Sequence, residues 1–139
     1  MLPMLLDFSL KLIFAFVITF LLHELCHVLE GFRQGATIGT IQVQRWTMAA
    51  YVNFMTNKDL FDLAGGLYSG LIALVFSLLS TDVNIRWAFL TMAFVQLCYG
   101  VFEWQMLHRW GNSTSYKIGR YSIYGAVIAV MVILWFIIC

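Results

Sequence analysis

Charge is scarce in this chain of 139 residues: only 11% are Asp, Glu, Lys or Arg, where a soluble domain averages about 25%. That shortage excludes an ordinary water-soluble globule, and the 62% hydrophobic content excludes a disordered chain. A net charge of +1 removes the electrostatic basis for a nucleic-acid partner. Proline occurs once, so little interrupts long helices. The three cysteines, Cys26, Cys98 and Cys139, are far apart and lack CxxC spacing. That argues against both a disulfide framework and a structural zinc knuckle. No repeat or low-complexity tract is visible, and the length suits one domain.

What the chain has instead is long apolar runs. A bilayer crossing takes about 20 mostly apolar residues. Four segments qualify, at about 5–29, 63–81, 87–107 and 121–139, the third interrupted only by Glu103. Trp87, Trp110 and Tyr121 flank them as interfacial anchors. The first span lacks the basic leader and small-residue cleavage site of a signal peptide, so it reads as a retained span. The expectation is an all-α membrane protein in the lipid bilayer, residues 1–139 forming a single polytopic domain of four transmembrane helices.

Six of the eight basic residues fall in two loops: Arg33, Arg45 and Lys58 between spans one and two, and Arg109, Lys117 and Arg120 between spans three and four. Lys11 and Arg86 lie on the other side. The positive-inside rule then places both loops in the cytoplasm and both termini outside. The Asn112-Ser113-Thr114 sequon falls on the wrong side for glycosylation under this orientation and reads as a turn.

The loop between the first two spans has its own pattern. In ATIGTIQVQRW (36–46), Ile41 and Val43 alternate with Gln42 and Gln44, and AAYVNFM (49–55) is a second β-prone run. Together they predict a small β-hairpin within 36–55, against the alternative of a solvated loop. The helix before it is expected to end near Gly31 or Gly35, and the helix after it to be capped by Asn57 or Asp59. In AGGLYSG (64–70), Gly65 and Ser69, and Gly66 and Gly70, are four apart, a spacing that lets a second helix approach closely.

The chemistry concentrates in HELCH (23–27), at the end of the first span. His23 and His27 are one helical turn apart on one face, so two imidazoles can reach one ion. Glu24 is rotated by about 100° from His23 and can act on a water beside that ion. This is the HExxH arrangement for Zn2+ with Glu as general base. A hydrogen-bonded polar cluster holding helices together is the bland alternative. A charge at the centre of a span costs roughly 2.5–3.5 kcal/mol, which makes three such groups a poor choice for packing alone.

A catalytic zinc takes a third protein ligand and keeps a position open. In the third span, Gln96, Tyr99, Gly100 and Glu103 follow i, i+3, i+4, i+7 spacing and make one polar stripe. Spans one and three run in the same direction, so Glu103 and HELCH fall at similar depth, roughly 5–10 Å inside the cytoplasmic surface. Glu103 is the expected third ligand. His108 and Glu30 are its rivals, and a carboxylate snorkelling to the interface or pairing with Arg109 is its non-functional alternative. Cys26 reads as a small buried hydrophobe and Asp62 as a cap or interface residue. Tyr99 could bond a developing oxyanion or satisfy a core partner, and Gln96 could meet substrate or tie helices together.

The run LLHELCHVLEGFRQGA, the β-prone stretch and LAGGLYSGLIALVF together resemble the site-2 protease family of intramembrane zinc metalloproteases over most of the chain. The resemblance implies His23 and His27 as ligands, Glu24 as catalytic base, and an acidic third ligand from a later helix. It departs from that family at Cys26, where glycine is usual, and in VQLCYGVFEWQ, where an Asn-Pro stretch followed by Leu-Asp-Gly is usual. The resulting expectation is a zinc metalloendopeptidase that cleaves a transmembrane protein or peptide, bound as a strand added at 36–55. The other readings are a non-enzymatic membrane metal-binding or metal-handling protein and an inactive protease homologue.

Overall fold

The computed structural model describes residues 2–44, 47–110 and 114–138, with side chains left out at Leu2, Gln44, Thr47, 107–110 and 114–117. The sequon turn at 112–114, the Trp110 anchor and the side chains of His108, Arg109 and Lys117 therefore lie outside the described part. The elements in chain order are α1 (Leu2–Arg33), β1 (Gly39–Gln44), β2 (Thr47–Val52), α2 (Lys58–Leu79), α3 (Val83–Trp110) and α4 (Thr114–Ile138). All four helices are long and apolar enough to cross a membrane. The fold is thus an all-α membrane bundle with a two-stranded antiparallel sheet between helices α1 and α2.

Each helix starts ahead of its apolar span. The helix α2 starts at Lys58 rather than near 63, α3 at Val83 rather than near 87, and α4 at Thr114 rather than near 121. Hydropathy marks the part of a helix suited to lipid, whereas backbone hydrogen bonding and caps set where it starts. Asn57 caps α2, its side chain accepting from the Leu60 N–H at 3.0 Å. Asp82 caps α3 in the same way through the Ile85 N–H at 2.9 Å. The helix α1 ends in a Schellman motif: Ala36 N–H reaches Gly31 O at 2.9 Å and Gly35 N–H reaches Phe32 O at 3.0 Å. That closure needs a left-handed residue after the helix, and Gly35 supplies it with φ of 103°.

The α1 surface is divided for a lipid setting. Leu6, Leu10, Ile13, Val17, Leu21, Leu25 and Leu29 form an outward apolar stripe. The inward stripe carries Phe8, Ala15, Thr19, His23, His27 and Glu30. Polar groups face inward and aliphatic ones outward, the distribution expected where the surroundings are hydrocarbon. Helices α2 and α3 pack most closely at Gly66 and Gly100, where a Cβ on Gly66 would lie 2.3 Å from the Gly100 Cα. Small residues at that crossing bring the two backbones together, as the AGGLYSG spacing predicted. The helix α4 lies on α3 and reaches α1 through ring contacts: Trp135 stacks on Phe8 with centroids 4.4 Å apart, and Tyr124 meets Phe16 edge-on.

A polar cluster ties the end of the bundle opposite the hairpin. Lys11 Nζ donates to Asp7 and to Asp82, each at 2.7 Å. Asn84 donates to Asp7 and accepts from the Trp135 indole at 3.1 Å. Four elements thus meet at one set of side chains: α1, the α2–α3 turn, the start of α3 and the end of α4.

The hairpin pairs Gly39 with Val52 through Gln44 with Thr47. At the base the strands stop at Gly39 and Val52, inside the 36–46 and 49–55 runs read from the sequence, because Asn53 closes the hairpin there. The Asn53 Oδ1 accepts from the Thr37 and Ile38 amides, and its Nδ2 donates to Thr37 Oγ1. The sheet lies against the last turns of α1, with Val52 over Gly31, and Gly39 over Val28 and Phe32.

Candidate metal centre

The HELCH turn faces inward, burying His23, Glu24 and His27 to 2%, 7% and 5% exposure. Each histidine is held through its Nδ1. The His27 Nδ1–H donates to the Phe61 carbonyl of α2 at 2.6 Å, since a carbonyl can only accept. His23 Nδ1 lies 2.9 Å from Gln96 Oε1 of α3. Both Nε2 atoms are thereby turned to a common point, where Glu103 of α3 meets them.

Three atoms define that point. His23 Nε2 and His27 Nε2 are 3.1 Å apart, His23 Nε2 and Glu103 Oε2 are 3.1 Å apart, and His27 Nε2 and Glu103 Oε2 are 3.6 Å apart. An ion held tetrahedrally with bonds of about 2.0–2.1 Å spaces its ligand atoms about 3.3 Å apart. The observed triangle matches that size. His23, His27 and Glu103 form a group that could hold a metal ion. Of the three side chains, Glu103 is the most open, at 13% exposed against 2% and 6%.

Room for the His27 ring is also built into α2. A Cβ on Gly65 would fall 2.2 Å from His27 Nε2 and 2.7 Å from both neighbouring ring carbons. Those near-equal distances put it over the face of the ring, so the absence of a side chain at Gly65 lets the imidazole of His27 pack directly against α2. Its partner in the motif, Ser69, turns its hydroxyl back to the Gly65 carbonyl. The glycine pattern read as packing thus serves two purposes, Gly66 for helix approach and Gly65 for room at the histidine.

Other residues singled out in the sequence separate clearly. Tyr99 donates its hydroxyl to Glu103 Oε1 at 3.2 Å, so it orients the carboxylate whose other oxygen faces the histidines. Its ring lies 5.2 Å from that of His23. Glu24, adjoining His23 in the chain, is buried with the group and lies near the Ala50 backbone amide of β2. Glu30 does not join the group: both of its oxygens are bound by Arg33, at 2.7 and 2.8 Å, and Gln34 adds a third bond. Asp62 pairs with Lys58 one turn away. Cys26 is buried with a free thiol.

Two contributors escaped the sequence reading. The Phe61 carbonyl is a backbone group, and no side-chain pattern announces it. Gln34 is the other: its Oε1 accepts from the Thr56 and Asn57 amides at 2.9 and 2.7 Å, while its Nε2 reaches Glu30 and the Asn57 carbonyl. It fastens the end of α1 to the start of α2, next to the turn that carries Phe61. A polar residue just before the capping glycine was the only available hint.

The backbone pairing settles which edge of the hairpin faces the site. Asn53 N–H bonds Ile38 O at 3.2 Å, so by alternation the Thr40–Tyr51 and Gln42–Ala49 pairs are bonded and the Ile41–Ala50 pair is not. The Ala50 amide and carbonyl therefore point off the free edge of β2, and that amide is the one near Glu24. No family model, curated protein or solved structure matches the chain.

Proposed function

We propose that this protein is an intramembrane zinc metalloprotease of the site-2 type. The observation that carries the reading is the matched triangle of His23, His27 and Glu103, with Glu24 buried alongside it. Two imidazoles and one carboxylate are a donor set that zinc favours, and three protein ligands leave a position open. His23 Nε2, His27 Nε2 and Glu103 Oε2 would hold the ion. When bound, zinc supplies Lewis acidity and brings the pKa of a water to about 7.

The chain's own groups do the rest. Glu24 takes a proton from the attacking water and returns it to the leaving amine as the peptide bond breaks. The Phe61 carbonyl and Gln96 keep the imidazoles aimed, and Tyr99 keeps Glu103 aimed. Tyr99 can reach a developing oxyanion only by giving up its bond to Glu103, which makes orientation of the carboxylate its first task. A substrate helix has its amides satisfied internally and must unwind before cleavage. An extended segment can then pair with the free edge of β2, at the Ala50 amide and carbonyl. The positive-inside pattern supports a site near the cytoplasmic face with both termini outside.

The test is Glu24→Gln, assayed in proteoliposomes on a membrane-embedded peptide. Metal content should stay at the parental level while cleavage falls by about 10²–10⁴-fold, the range for loss of a general base. Undiminished cleavage would reject the assignment. Metal uptake or transfer that is independent of Glu24, without any cleavage by the parent, would favour a metal-handling protein.

A further inference from the structure

We infer that Gln96 is a positioning residue for the metal centre, holding His23 in the tautomer and ring orientation that ligation needs. The inference rests on the metal reading of the HELCH turn and assigns a task to a residue outside the ligand set.

Gln96 is fully buried in α3, and its Oε1 is 2.9 Å from His23 Nδ1. Its Nε2 has no partner among the described residues. An amide with an unmet donor in an apolar interior is unfavourable, and Leu or Met would fill similar volume without that penalty. The bond to His23 is what the amide contributes in return. An imidazole that ligates through Nε2 carries its proton on Nδ1, and that proton needs an acceptor. His27 finds one in the Phe61 carbonyl, a backbone group fixed by α2. His23 faces α3, whose carbonyls are engaged within the helix, so a side-chain acceptor has to supply it.

The position fits the geometry of the stripe. Gln96 precedes Glu103 by seven residues, so both project from one face of α3, and Tyr99 lies between them. The imidazole of His23 is thus held at both ends by one helix, Nδ1 by Gln96 and Nε2 facing Glu103 at 3.1 Å. A rigid helix that fixes both ligands fixes their separation.

Three variants of the full chain in detergent micelles test this: Gln96→Met, Gln96→Glu and Gln96→Leu. Zinc affinity is read by chelator competition, and the His23 tautomer by 15N NMR of histidine-labelled protein. Gln96→Met and Gln96→Leu should bind zinc about 10–100-fold more weakly, the usual effect of removing a ligand's outer partner. Both should lose the Nδ1–H signature of His23. Gln96→Glu, which still accepts from Nδ1–H, should retain at least the parental affinity. Parental affinity in Gln96→Met, or equal losses in Gln96→Met and Gln96→Glu, would overturn the positioning role and leave the metal reading standing. A folded parent that binds no zinc would overturn both.

Discussion

Gly65→Ala adds one carbon and two hydrogens, yet it should empty the metal centre. The new Cβ would fall 2.2 Å from His27 Nε2 and 2.7 Å from Cδ2 and Cε1. Carbon and nitrogen at rest need about 3.5 Å, so the ring must retreat by more than about 1 Å. It cannot lift away from α2 without straining the 2.6 Å bond from Nδ1 to the Phe61 carbonyl of the same helix. Metal bonds tolerate displacements of about 0.2 Å. Zinc affinity should therefore fall at least about 100-fold, or about 2.7 kcal/mol. The overpacking itself costs about 1–3 kcal/mol of stability, so a control must separate damage to the fold from damage to the site. Gly70→Ala is that control. It overpacks the same helix against Leu97, whose Cγ would be 2.8 Å away, and touches no ligand. Chelator competition on both variants, with thermal unfolding in the same micelles, gives the comparison. Gly65→Ala protein that is folded and binds zinc as tightly as the parent would refute the claim that the close fit of His27 on Gly65 sets the position of a metal ligand.

Gln34→Leu removes the acceptor for the Thr56 and Asn57 amides, and should destabilise the α1–α2 junction by about 1–3 kcal/mol; hydrogen exchange at those two amides should accelerate, and unchanged protection would show the network to be dispensable. Asn57→Ala deletes the α2 cap and should lower stability by about 1 kcal/mol, read as a drop in Tm without loss of metal. The hydrogen bond from Lys11, reinforced by the Ile85 amide, holds the Asp82 carboxyl below the usual carboxylate range. A depressed folded-state pKa contributes stability that is fully present above the unfolded value near 3.9 and lost as pH falls through the folded value. Unfolding measured below about pH 4 should therefore show a shallower acid limb in Asp82→Asn than in the parent, and identical limbs would remove Asp82 from the acid-sensitive set.

The sequence exposes those features that repeat along one element. Apolar length marked the four helices, and alternation of Ile41 and Val43 with Gln42 and Gln44 marked the hairpin. The polar stripe of α3 was legible because its period matches the helix, and the structure gives each member a partner: Gln96 meets His23, Tyr99 meets Glu103, and Gly100 meets Gly66. Glu103 could be chosen because depth in a membrane is countable from residue number. Contacts that depend on the crossing of helices were not legible. Nothing local shows that Phe61 offers its carbonyl to His27, or that Gly65 rather than Gly66 faces an imidazole. Glu30, on the face of His27, remained a candidate ligand until the Arg33 and Gln34 bonds showed its oxygens engaged. The helix starts ran ahead of the apolar spans because Asn57 and Asp82 cap helices whose first turns include charged or polar residues, Lys58 and Asp59 in α2 and Asn84 and Arg86 in α3.

The central claim is a metal held between α1 and α3. X-ray absorption at the zinc edge of purified protein, alongside metal analysis, tests it most directly. The parent should carry one ion per chain, with two imidazole nitrogens and a carboxylate oxygen at about 2.0–2.1 Å. Glu103→Ala should weaken that binding and lose the carboxylate from the shell, and the His23→Ala/His27→Ala double variant should carry no ion. A folded parent without bound metal, or an ion that persists in the double histidine variant, would contradict it.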